Sequence, residues 1–209
     1  MKILFIGDSI TDMSRNPNTE YFFDSYGFNY TFFVEGELAT KYPGKYQVLT
    51  KGCGGNRILD LQARLMRDCW NYKPDYISIL IGINDVWGRD CDNFVSLERY
   101  VRTYEEIIDD TRKVLPSVKF LLLEPFYLDG EVTGNKETFA HLAAYQEEIK
   151  RLAERKGCGF LPLQKTFNDL AKAYKPSHYL YDGVHPSVAG AKIISEKWLE
   201  YFKNNEIEK

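Results

Sequence analysis

Tyr-Ile-Ser-Ile-Leu-Ile, at residues 76–81, is nearly continuous in its apolar side chains. Such a run is typical of a parallel strand that is covered on both faces. Other short apolar runs, each bounded by turn residues, predict four further strands at residues 2–6, 47–50, 119–123 and 159–163. The chain is therefore predicted to contain five strands of the buried, parallel kind.

Segments with helical periodicity lie between these strands. The clearest, at residues 96–115, places its large apolar side chains on one face and its acidic and basic ones on the other. Similar patterns predict helices at residues 29–41, 58–70, 137–156 and 187–201. Because each parallel strand needs a crossover connection, alternation of strand and helix predicts an α/β fold, a three-layer α/β/α sandwich around a central parallel five-stranded sheet.

The size and composition of the chain indicate one globular domain. A length of 209 residues, with 44% hydrophobic and 27% charged residues, is ordinary for a single soluble domain. No internal repeat, linker or low-complexity stretch interrupts the pattern, so one domain is predicted over residues 1–209. Two polar segments, at residues 12–25 and 129–136, are predicted to be loops over the edge of the sheet.

Charge, cysteines and the N-terminus exclude several classes of partner. The net charge of -3 is spread without a basic stripe, which argues against nucleic acid. The four cysteines form no C-x-x-C pair and have no histidine at metal-ligand spacing, so they are predicted to be reduced thiols in a cytoplasmic protein. The N-terminal apolar run breaks at Gly7-Asp8, too early for a signal peptide or a membrane span. No membrane partner is therefore predicted.

Polar residues follow the predicted strands at the edge where open α/β sheets bind their ligands. Because the carboxyl ends of parallel strands share one edge, segments distant in sequence are expected to converge there. The candidate residues, in chain order, are Ser9 after the first strand, Gly54, Gly55 and Asn56 after the second, Asn84 after the third, and Asp182 and His185 after the fifth.

These residue types supply the parts of an acyl-transfer site. A serine hydroxyl needs a base within hydrogen-bond reach, and the base needs a third group that fixes its tautomer. Ser9, His185 and Asp182 can take these roles, because a spacing of three residues in a glycine-containing turn lets the carboxylate reach the imidazole of its own loop. The N–H groups of Ser9 and Gly55 and the side-chain amide of Asn84 are candidate donors to the oxyanion.

The sequence resembles the SGNH hydrolases, also called GDSL-type esterases, which are named for a Ser, Gly, Asn and His in four motif blocks. Gly7-Asp8-Ser9-Ile10 matches the first block, Asn84 in Gly-Ile-Asn-Asp the third, and Asp182-Gly-Val-His185-Pro-Ser the last. In the second block, Gly55 before Asn56 fits the oxyanion glycine, while Gly54 occupies a position that is often Ser in the family. Both glycines remain candidates, with Gly55 ranked first.

Within this family the chain looks most like intracellular acetylxylan or acetylxylo-oligosaccharide esterases. The phrases that carry this likeness are Gly-Asp-Ser-Ile-Thr-Asp, Ile-Gly-Ile-Asn-Asp-Val-Trp87, Pro-Phe-Tyr127 and Val-His-Pro-Ser-Val-Ala-Gly190. The resemblance implies the flavodoxin-like SGNH fold and a Ser-His-Asp triad that hydrolyses acetyl or other short acyl esters on carbohydrates through an acyl-enzyme, without metal or organic cofactor. Tyr181 departs from that branch, which has Trp before the aspartate, so the pocket is expected to differ in shape.

Each candidate residue also has a structural explanation when it is taken alone. Gly-Asp-Ser is common in turns, Asp182 could bond its own backbone, and His185 could cap the last helix. Their order at successive strand ends favours the catalytic interpretation. Trp87 could be a core residue or could pack against an acyl chain or a sugar ring. His141 and His178 have no partner at a useful spacing and are predicted to be structural or exposed to solvent.

Three other functions compete with a sugar acetylesterase. A lysophospholipase or thioesterase would keep the same catalytic groups, although the chain lacks an obvious long apolar lid. A non-catalytic carbohydrate-binding module would keep the fold, although every expected catalytic group is present. A nucleotide-binding protein is disfavoured because no G-x-G-x-x-G or G-x-x-x-x-G-K-[ST] follows the first strand and Asp8 would repel phosphate there.

An aromatic-rich segment raises the question of oligomeric state. Arg15 and the aromatic cluster could border the cleft, or the cluster could be buried against a neighbouring subunit, as exposed aromatic patches often are. A homo-oligomer is therefore predicted. The cluster consists of Tyr21, Phe22, Phe23, Tyr26 and Phe28.

Overall fold

The computed structural model describes residues 1–16, 18, 25–87, 92–129 and 139–208. Its core is a parallel sheet of five strands in the order β2-β1-β3-β4-β5. The strands are β1 (Lys2–Gly7), β2 (Gln47–Gly52), β3 (Tyr76–Leu80), β4 (Lys119–Leu123) and β5 (Gly159–Leu161). The five predicted strands and the predicted fold class are confirmed.

Helices follow the strands and cover both faces of the sheet. In chain order they are α1 (Ser9–Asp12), α2 (Tyr30–Lys41), α3 (Ile58–Ala63), α4 (Leu65–Asp68), α5 (Ile83–Trp87), α6 (Leu97–Val114), α7 (Leu142–Lys156), α8 (Gln164–Ala173), α9 (Pro176–Tyr179) and α10 (Val188–Phe202), with a 3₁₀ turn at Trp70–Tyr72 and a π turn at Lys203–Ile207. Helices α2 and α10 pack together on one face, while α3, α6 and α7 pack together on the other. The architecture is the three-layer sandwich that the alternating pattern predicts. No helix within the described residues combines the length and apolar composition needed to cross a membrane.

The central strands show why the stretch at residues 76–81 contains one polar side chain. Phe5 of β1 lies opposite Ser78 of β3 in the parallel register. The Phe5 ring packs against Tyr30 of α2 and Trp198 of α10, with ring centroids 5.6 and 4.9 Å apart. The indole N–H of Trp198 donates to Ser78 Oγ at 3.0 Å, so the buried hydroxyl is paired. One hydrogen bond therefore joins the last long helix to the centre of the sheet.

Three predicted elements differ in their bounds. The helix predicted at residues 58–70 is broken at Arg64, whose backbone leaves the helical region at φ -111° and ψ 9°. The strand predicted at residues 159–163 ends at Leu161, because the N–H groups of Leu163 and Gln164 donate to the Glu124 carboxylate instead. The helix predicted from residue 137 is described from Leu142 as α7.

The two predicted polar loops lie partly outside the described residues. Asp12, which the sequence assigns to the first loop, is the last residue of α1. Residues 17 and 19–24 of that loop and residues 130–136 of the second are not among those described.

Candidate active site

The order of the strands creates a crevice between β1 and β3. β2 lies outside β1, and the chain then continues on the other side of β1 through β3, β4 and β5. Connections that leave neighbouring strands in opposite directions open a crevice at their carboxyl ends, which is where ligands bind in such sheets. Ser9 lies just beyond β1 and Asn84 just beyond β3, on the two sides of this crevice.

Tight packing fixes the turn that carries Ser9. A side chain on Gly7 would place its Cβ only 2.2 Å from the carbonyl oxygen of Leu80, so the end of β1 approaches β3 as only glycine allows. Asp8 caps α1, because its Oδ1 accepts the N–H of Ile10 at 2.9 Å. Ser9 is therefore the first residue of a short helix, and its half-buried side chain points into the crevice.

Ser9, His185 and Asp182 form a continuous chain of hydrogen bonds. Ser9 Oγ lies 2.8 Å from His185 Nε2, and His185 Nδ1 lies 2.7 Å from Asp182 Oδ2. A carboxylate at Nδ1 holds the proton on that nitrogen, which leaves Nε2 to accept the hydroxyl proton. The three residues predicted from the sequence are thus brought together in the arrangement that activates a serine.

The loop that carries Asp182 and His185 is closed on itself. Asp182 Oδ1 accepts the backbone N–H groups of Val184 and His185 at 3.0 and 2.8 Å. Gly183 adopts a left-handed φ of 87°, and the N–H of Tyr181 donates to the carbonyl of His185 at 2.8 Å. Burial tends to raise the pKa of Asp182, but the hydrogen bonds from His185 and Val184 outweigh it and lower the pKa. The carboxylate is therefore held in its ionised form.

The turn after β2 presents the two candidate oxyanion glycines. The N–H of Asn56 donates to the carbonyl of Cys53 at 3.2 Å, and Gly55 has a φ of 75°, as in a type II turn. Gly54 has no such requirement, and among the described residues beyond its chain neighbours a side chain there would meet only Asp12 Oδ2, at 3.8 Å. Apart from Gly55 itself and its neighbours Gly54 and Asn56, no described residue has an atom within 4 Å of the position that a Cβ on Gly55 would take, so space is open beside this residue.

Asn84 connects the third motif to this turn. Its Nδ2 donates to the backbone carbonyl of Asn56 at 3.1 Å, which uses one of its two amide hydrogens. The half-buried amide is left with a second hydrogen for another acceptor. Asn84, the Gly55 turn and Ser9 therefore all border the same crevice.

Two buried carboxyl groups beside these motifs are not among the predicted site residues. Asp8 and Asp85 are 1% and 0% exposed. Both oxygens of Asp85 accept the N–H of Ile58, at 3.0 and 3.2 Å, which fixes the start of α3. Burial raises the pKa of Asp8 to about 7 and, together with the nearby Asp8 charge, the pKa of Asp85 to about 8. Their position directly before and after motif residues is the only signal that the sequence offers.

Trp87 and Tyr181, the two predicted pocket residues, have different surroundings. The half-buried Trp87 ring lies 6.4 Å from the His185 ring and packs edge-on against Phe139 at 5.6 Å. Tyr181 is 55% exposed and lines an outer groove that also contains Phe33, Val188 and Lys192. Of the two predicted pocket residues, Trp87 has its ring beside the imidazole ring, and Tyr181 lines the groove.

Arg15 lies beneath the turn after β2. Its side chain is 6% exposed and donates through Nε and Nη2 to the carbonyl of Gly52, at 3.0 and 2.6 Å. Phe28 of the predicted aromatic cluster is 83% exposed and Tyr26 packs against the core. The other members of that cluster, Tyr21, Phe22 and Phe23, lie outside the described residues.

The other two histidines are exposed, and the described cysteines are unpaired. His141 and His178 are exposed. Cys53, Cys69 and Cys158 are free thiols, and Cys91 lies outside the described residues. Across the described ranges, histidine, cysteine and acidic side chains form no group of three that could hold a metal ion.

Comparisons with known proteins show the family to which the chain belongs. The family model for the GDSL-like lipase/acylhydrolase family matches residues 5–193. An acetylxylan esterase from Geobacillus stearothermophilus is 37% identical over 207 residues, which cover 95% of this chain and 92% of that protein.

Solved structures of two such hydrolases are also similar to this chain. The crystal structure of an acetylxylan esterase from Geobacillus stearothermophilus has a TM-score of 0.84 at 35% identity and covers 95% of this chain and 92% of that one. An α/β hydrolase enzyme from the metagenome of Lake Arreo has a TM-score of 0.86 at 32% identity, with 95% and 93% covered. The chain therefore belongs to the GDSL-like lipase/acylhydrolase family and is a carboxylic ester hydrolase.

Proposed function

We propose that this protein is a serine esterase that removes acetyl groups from small carbohydrates, such as acetylated xylo-oligosaccharides, through an acyl-enzyme on Ser9. The observation that carries the proposal is the hydrogen-bond chain from Asp182 through His185 to Ser9, with links of 2.7 and 2.8 Å. It lies at the crevice between β1 and β3, where such sheets bind ligands.

In the first half-reaction, His185 Nε2 accepts the Ser9 proton while Ser9 Oγ attacks the acetyl carbonyl carbon. The resulting tetrahedral intermediate breaks its bond to the sugar oxygen, and His185 returns the proton to that oxygen. Asp182 keeps the imidazole oriented and stabilises the imidazolium. The products of this half-reaction are the free sugar hydroxyl and an acetyl ester on Ser9.

In the second half-reaction, a water molecule replaces the sugar. His185 Nε2 takes a proton from the water as its oxygen attacks the acetyl carbon, and Ser9 Oγ leaves and regains a proton from the imidazole. Acetate is released and the enzyme returns to its starting state. Every proton transfer uses groups of this chain or water, so we propose that the reaction requires no cofactor.

The oxyanion of both intermediates needs fixed donors. We assign the backbone N–H groups of Ser9 and Gly55 and the side-chain amide of Asn84 to this role. Among the described residues, no acceptor engages the N–H of Ser9 or of Gly55. The open space beside Gly55 supports its assignment over Gly54, because a substrate oxygen can approach the backbone there.

The proposed preference for acetyl groups rests on similarity to a known acetylxylan esterase and on the aromatic side chains beside His185. The relative at 37% identity is an acetylxylan esterase. The Trp87 ring lies beside the His185 ring, and Phe139 packs edge-on against Trp87. Tyr127 in turn stacks on Phe139, with ring centroids 4.1 Å apart. These rings leave less room for a long acyl chain than aliphatic side chains of smaller volume would. The same rings offer flat apolar faces of the kind that pack against sugars.

We further propose that the protein works in the cytoplasm as a homo-oligomer. Three free thiols among the described residues suit a reducing compartment. Phe33, Tyr181 and Val188 line an open groove in which apolar surface predominates, as at contacts between subunits. Light scattering of the purified protein tests the oligomeric state.

The proposed nucleophile is tested with Ser9→Ala and, as a matched control, Ser117→Ala at an exposed serine outside the crevice. Loss of the nucleophile is expected to lower kcat on p-nitrophenyl acetate on the order of 10⁴-fold or more, while the control keeps wild-type activity. A fluorophosphonate should label the wild-type protein at Ser9 and leave Ser9→Ala unlabelled. Substantial esterase activity in Ser9→Ala would overturn the assignment.

The substrate is tested by acetate release from a panel of acetylated xylo-oligosaccharides, other acetylated sugars and lysophospholipids, with acetyl and octanoyl p-nitrophenyl esters compared in parallel. The proposal expects acetylated sugars and the acetyl ester to give the higher kcat/KM. A preference for octanoyl esters or lysophospholipids would instead assign the enzyme to lipid substrates.

A further inference from the structure

Arg64 is a buried arginine that no motif of the family resemblance includes. Its side chain is 7% exposed, and the break between α3 and α4 occurs at this residue. The guanidinium donates to four acceptors in four segments of the chain. These are the Gly7 carbonyl at 2.7 Å, the Lys51 carbonyl at 2.9 Å, Asn56 Oδ1 at 2.7 Å and Asp68 Oδ2 at 3.0 Å.

Three of these acceptors belong to segments that carry the proposed catalytic groups. Gly7 is the last residue of β1, two positions before Ser9. Lys51 is near the end of β2, and Asn56 closes the turn that contains Gly55. The backbone carbonyl of Asn56 in turn accepts the amide of Asn84. One guanidinium therefore links the nucleophile strand, the turn after β2 and, through Asn56, the third motif.

A second guanidinium holds the same strand end from another position. Arg15 donates to the carbonyl of Gly52, the residue directly after Lys51, and forms an ion pair with Asp12. Two consecutive carbonyls at the end of β2 are thus bound by different arginines. Arg15 and Arg64 therefore anchor the turn that presents Gly55 immediately before it begins, and Arg64 also binds the side chain of its last residue, Asn56.

We propose that Arg64 is a positioning residue for acyl transfer, which holds the Gly55 turn and Asn84 at the distance from Ser9 that the oxyanion requires. This inference rests on the proposed function. The strand-end carbonyls fix the guanidinium, and Arg64 acts through the Asn56 side chain without touching the substrate.

The chemistry of guanidinium fits this role better than that of an ammonium group. A guanidinium presents five N–H donors in a rigid plane, so it can bind four fixed acceptors in different directions at once. A lysine at this position has three donors on a flexible stem and would hold fewer of them. Burial of the positive charge is balanced by Asp68, which also pairs with the exposed Arg67 at 2.8 Å.

The first test is Arg64→Lys, with Arg67→Lys as the matched control. Both arginines pair with Asp68, but Arg67 is exposed, and its described hydrogen bonds go to Asp68 and not to the strand ends or the Gly55 turn. We expect Arg64→Lys to lower kcat on p-nitrophenyl acetate about 10- to 100-fold with KM within about 3-fold of wild type, because small displacements of catalytic groups reduce turnover. Arg67→Lys should keep wild-type kcat.

The second test is Asn56→Ala, alone and combined with Arg64→Lys. Asn56→Ala removes the acceptor of Arg64 Nε and keeps the backbone carbonyl that Asn84 binds. If Arg64 acts through this turn, the fall in kcat of the double variant should be smaller than the product of the two single effects. Independent effects that multiply would place the contribution of Arg64 outside the turn and overturn the proposal.

Melting temperatures and circular dichroism separate positioning from folding. If Arg64→Lys does not fold, kcat of Asn56→Ala alone tests the positioning role, because this variant removes one contact of the guanidinium and leaves the others. Wild-type kcat in folded Arg64→Lys and Asn56→Ala, beside an inactive Ser9→Ala, would overturn this inference and leave the proposed function intact. An active Ser9→Ala would overturn the proposed function itself.

Discussion

Asp182 uses its two carboxylate oxygens on two different groups of His185. Oδ1 accepts the backbone N–H at 2.8 Å, and Oδ2 lies 2.7 Å from the ring nitrogen Nδ1. The same residue therefore fixes both where the histidine backbone lies and how its ring is turned. A single substitution can leave the first function in place and remove the second.

Asp182→Asn should do this. With its carbonyl oxygen on the backbone N–H, the amide turns its NH₂ toward Nδ1, which favours the tautomer with the proton on Nε2. Such a histidine cannot accept the Ser9 proton, so kcat on p-nitrophenyl acetate should fall on the order of 10⁴-fold. Asp169→Asn is the control, because Asp169 is an exposed carboxylate that pairs with Lys165 and Lys172. Wild-type turnover in Asp182→Asn would contradict the proposed triad.

Gly55→Ala should reduce activity more than its effect on stability explains. Gly55 and Gly44 both have left-handed φ values, 75° and 73°, and beyond their chain neighbours no described residue comes within 4 Å of a Cβ added to either. Alanine at either position is expected to cost a similar free energy of unfolding, about 1 kcal/mol. Only Gly55→Ala should also lower kcat, because the new methyl group fills the space where the oxyanion approaches.

Gly54→Ala completes this comparison. Its Cβ would meet only Asp12 Oδ2 at an ordinary contact distance, so stability and kcat should stay near wild type. Urea unfolding and kcat measured on all three variants give the answer. If Gly54→Ala loses activity and Gly55→Ala keeps it, the assignment of the oxyanion donor has to be reversed.

The stability of the protein should fall as pH rises, in part because of Asp8. Burial raises the pKa of this carboxyl to about 7 in the folded state, against about 3.9 in an unfolded chain. Between these values the folded state holds a proton that the unfolded state has released, so the free energy of unfolding decreases with pH, by at most about 1.4 kcal/mol per unit for this group. The stabilisation is complete below about pH 4 and is lost as pH rises through 7.

Asp8→Asn should remove this contribution, since an amide does not titrate and can still cap α1. Urea unfolding of both proteins at pH 5, 6, 7 and 8 measures it. The wild type should lose stability relative to Asp8→Asn between pH 5 and 7, and the difference should level off near pH 8. A difference that stays constant over the whole range would refute the raised pKa.

Trp87→Leu should widen the range of acyl chains that the enzyme accepts. Removal of the large ring beside His185 opens space next to the reacting carbonyl, so the ratio of kcat/KM for acetyl over octanoyl p-nitrophenyl esters should fall about 10-fold. Trp70→Leu is the control, because Trp70 lies in the 3₁₀ turn after α4 and bonds Thr111 of α6. That variant is expected to lose stability without a change in the ratio.

Features that depend on local pattern could be predicted from the sequence. Five strands and their alternation with helices follow from runs of apolar residues and from helical periodicity, and each run is a property of neighbouring residues. The approach of Ser9, Asn84 and His185 also follows, because parallel strands place their carboxyl ends at one edge. The apolar run of β3 predicts a strand even though it contains the polar Ser78. The hydrogen-bond partner of Ser78, Trp198, lies 120 positions away and is not needed for that prediction.

Features that depend on distant acceptors could not be predicted. Arg64 lies in a segment whose periodicity predicts a continuous helix, where an arginine is ordinarily exposed. Its burial depends on carbonyls at Gly7 and Lys51, which are 57 and 13 positions away. Asp85 is similar, because its partner is the backbone N–H of Ile58, 27 positions earlier. No local pattern carries information about such pairs.

The contact between Ser9 and His185 has a consequence for how activity arises during folding. It joins residues 176 positions apart, one directly after the first strand and the other just before the last long helix. Contacts of such sequence separation form late, after the intervening chain has been ordered. Esterase activity is thus a reporter of complete assembly. On dilution from urea, turnover should recover no earlier than the slowest phase of tryptophan fluorescence.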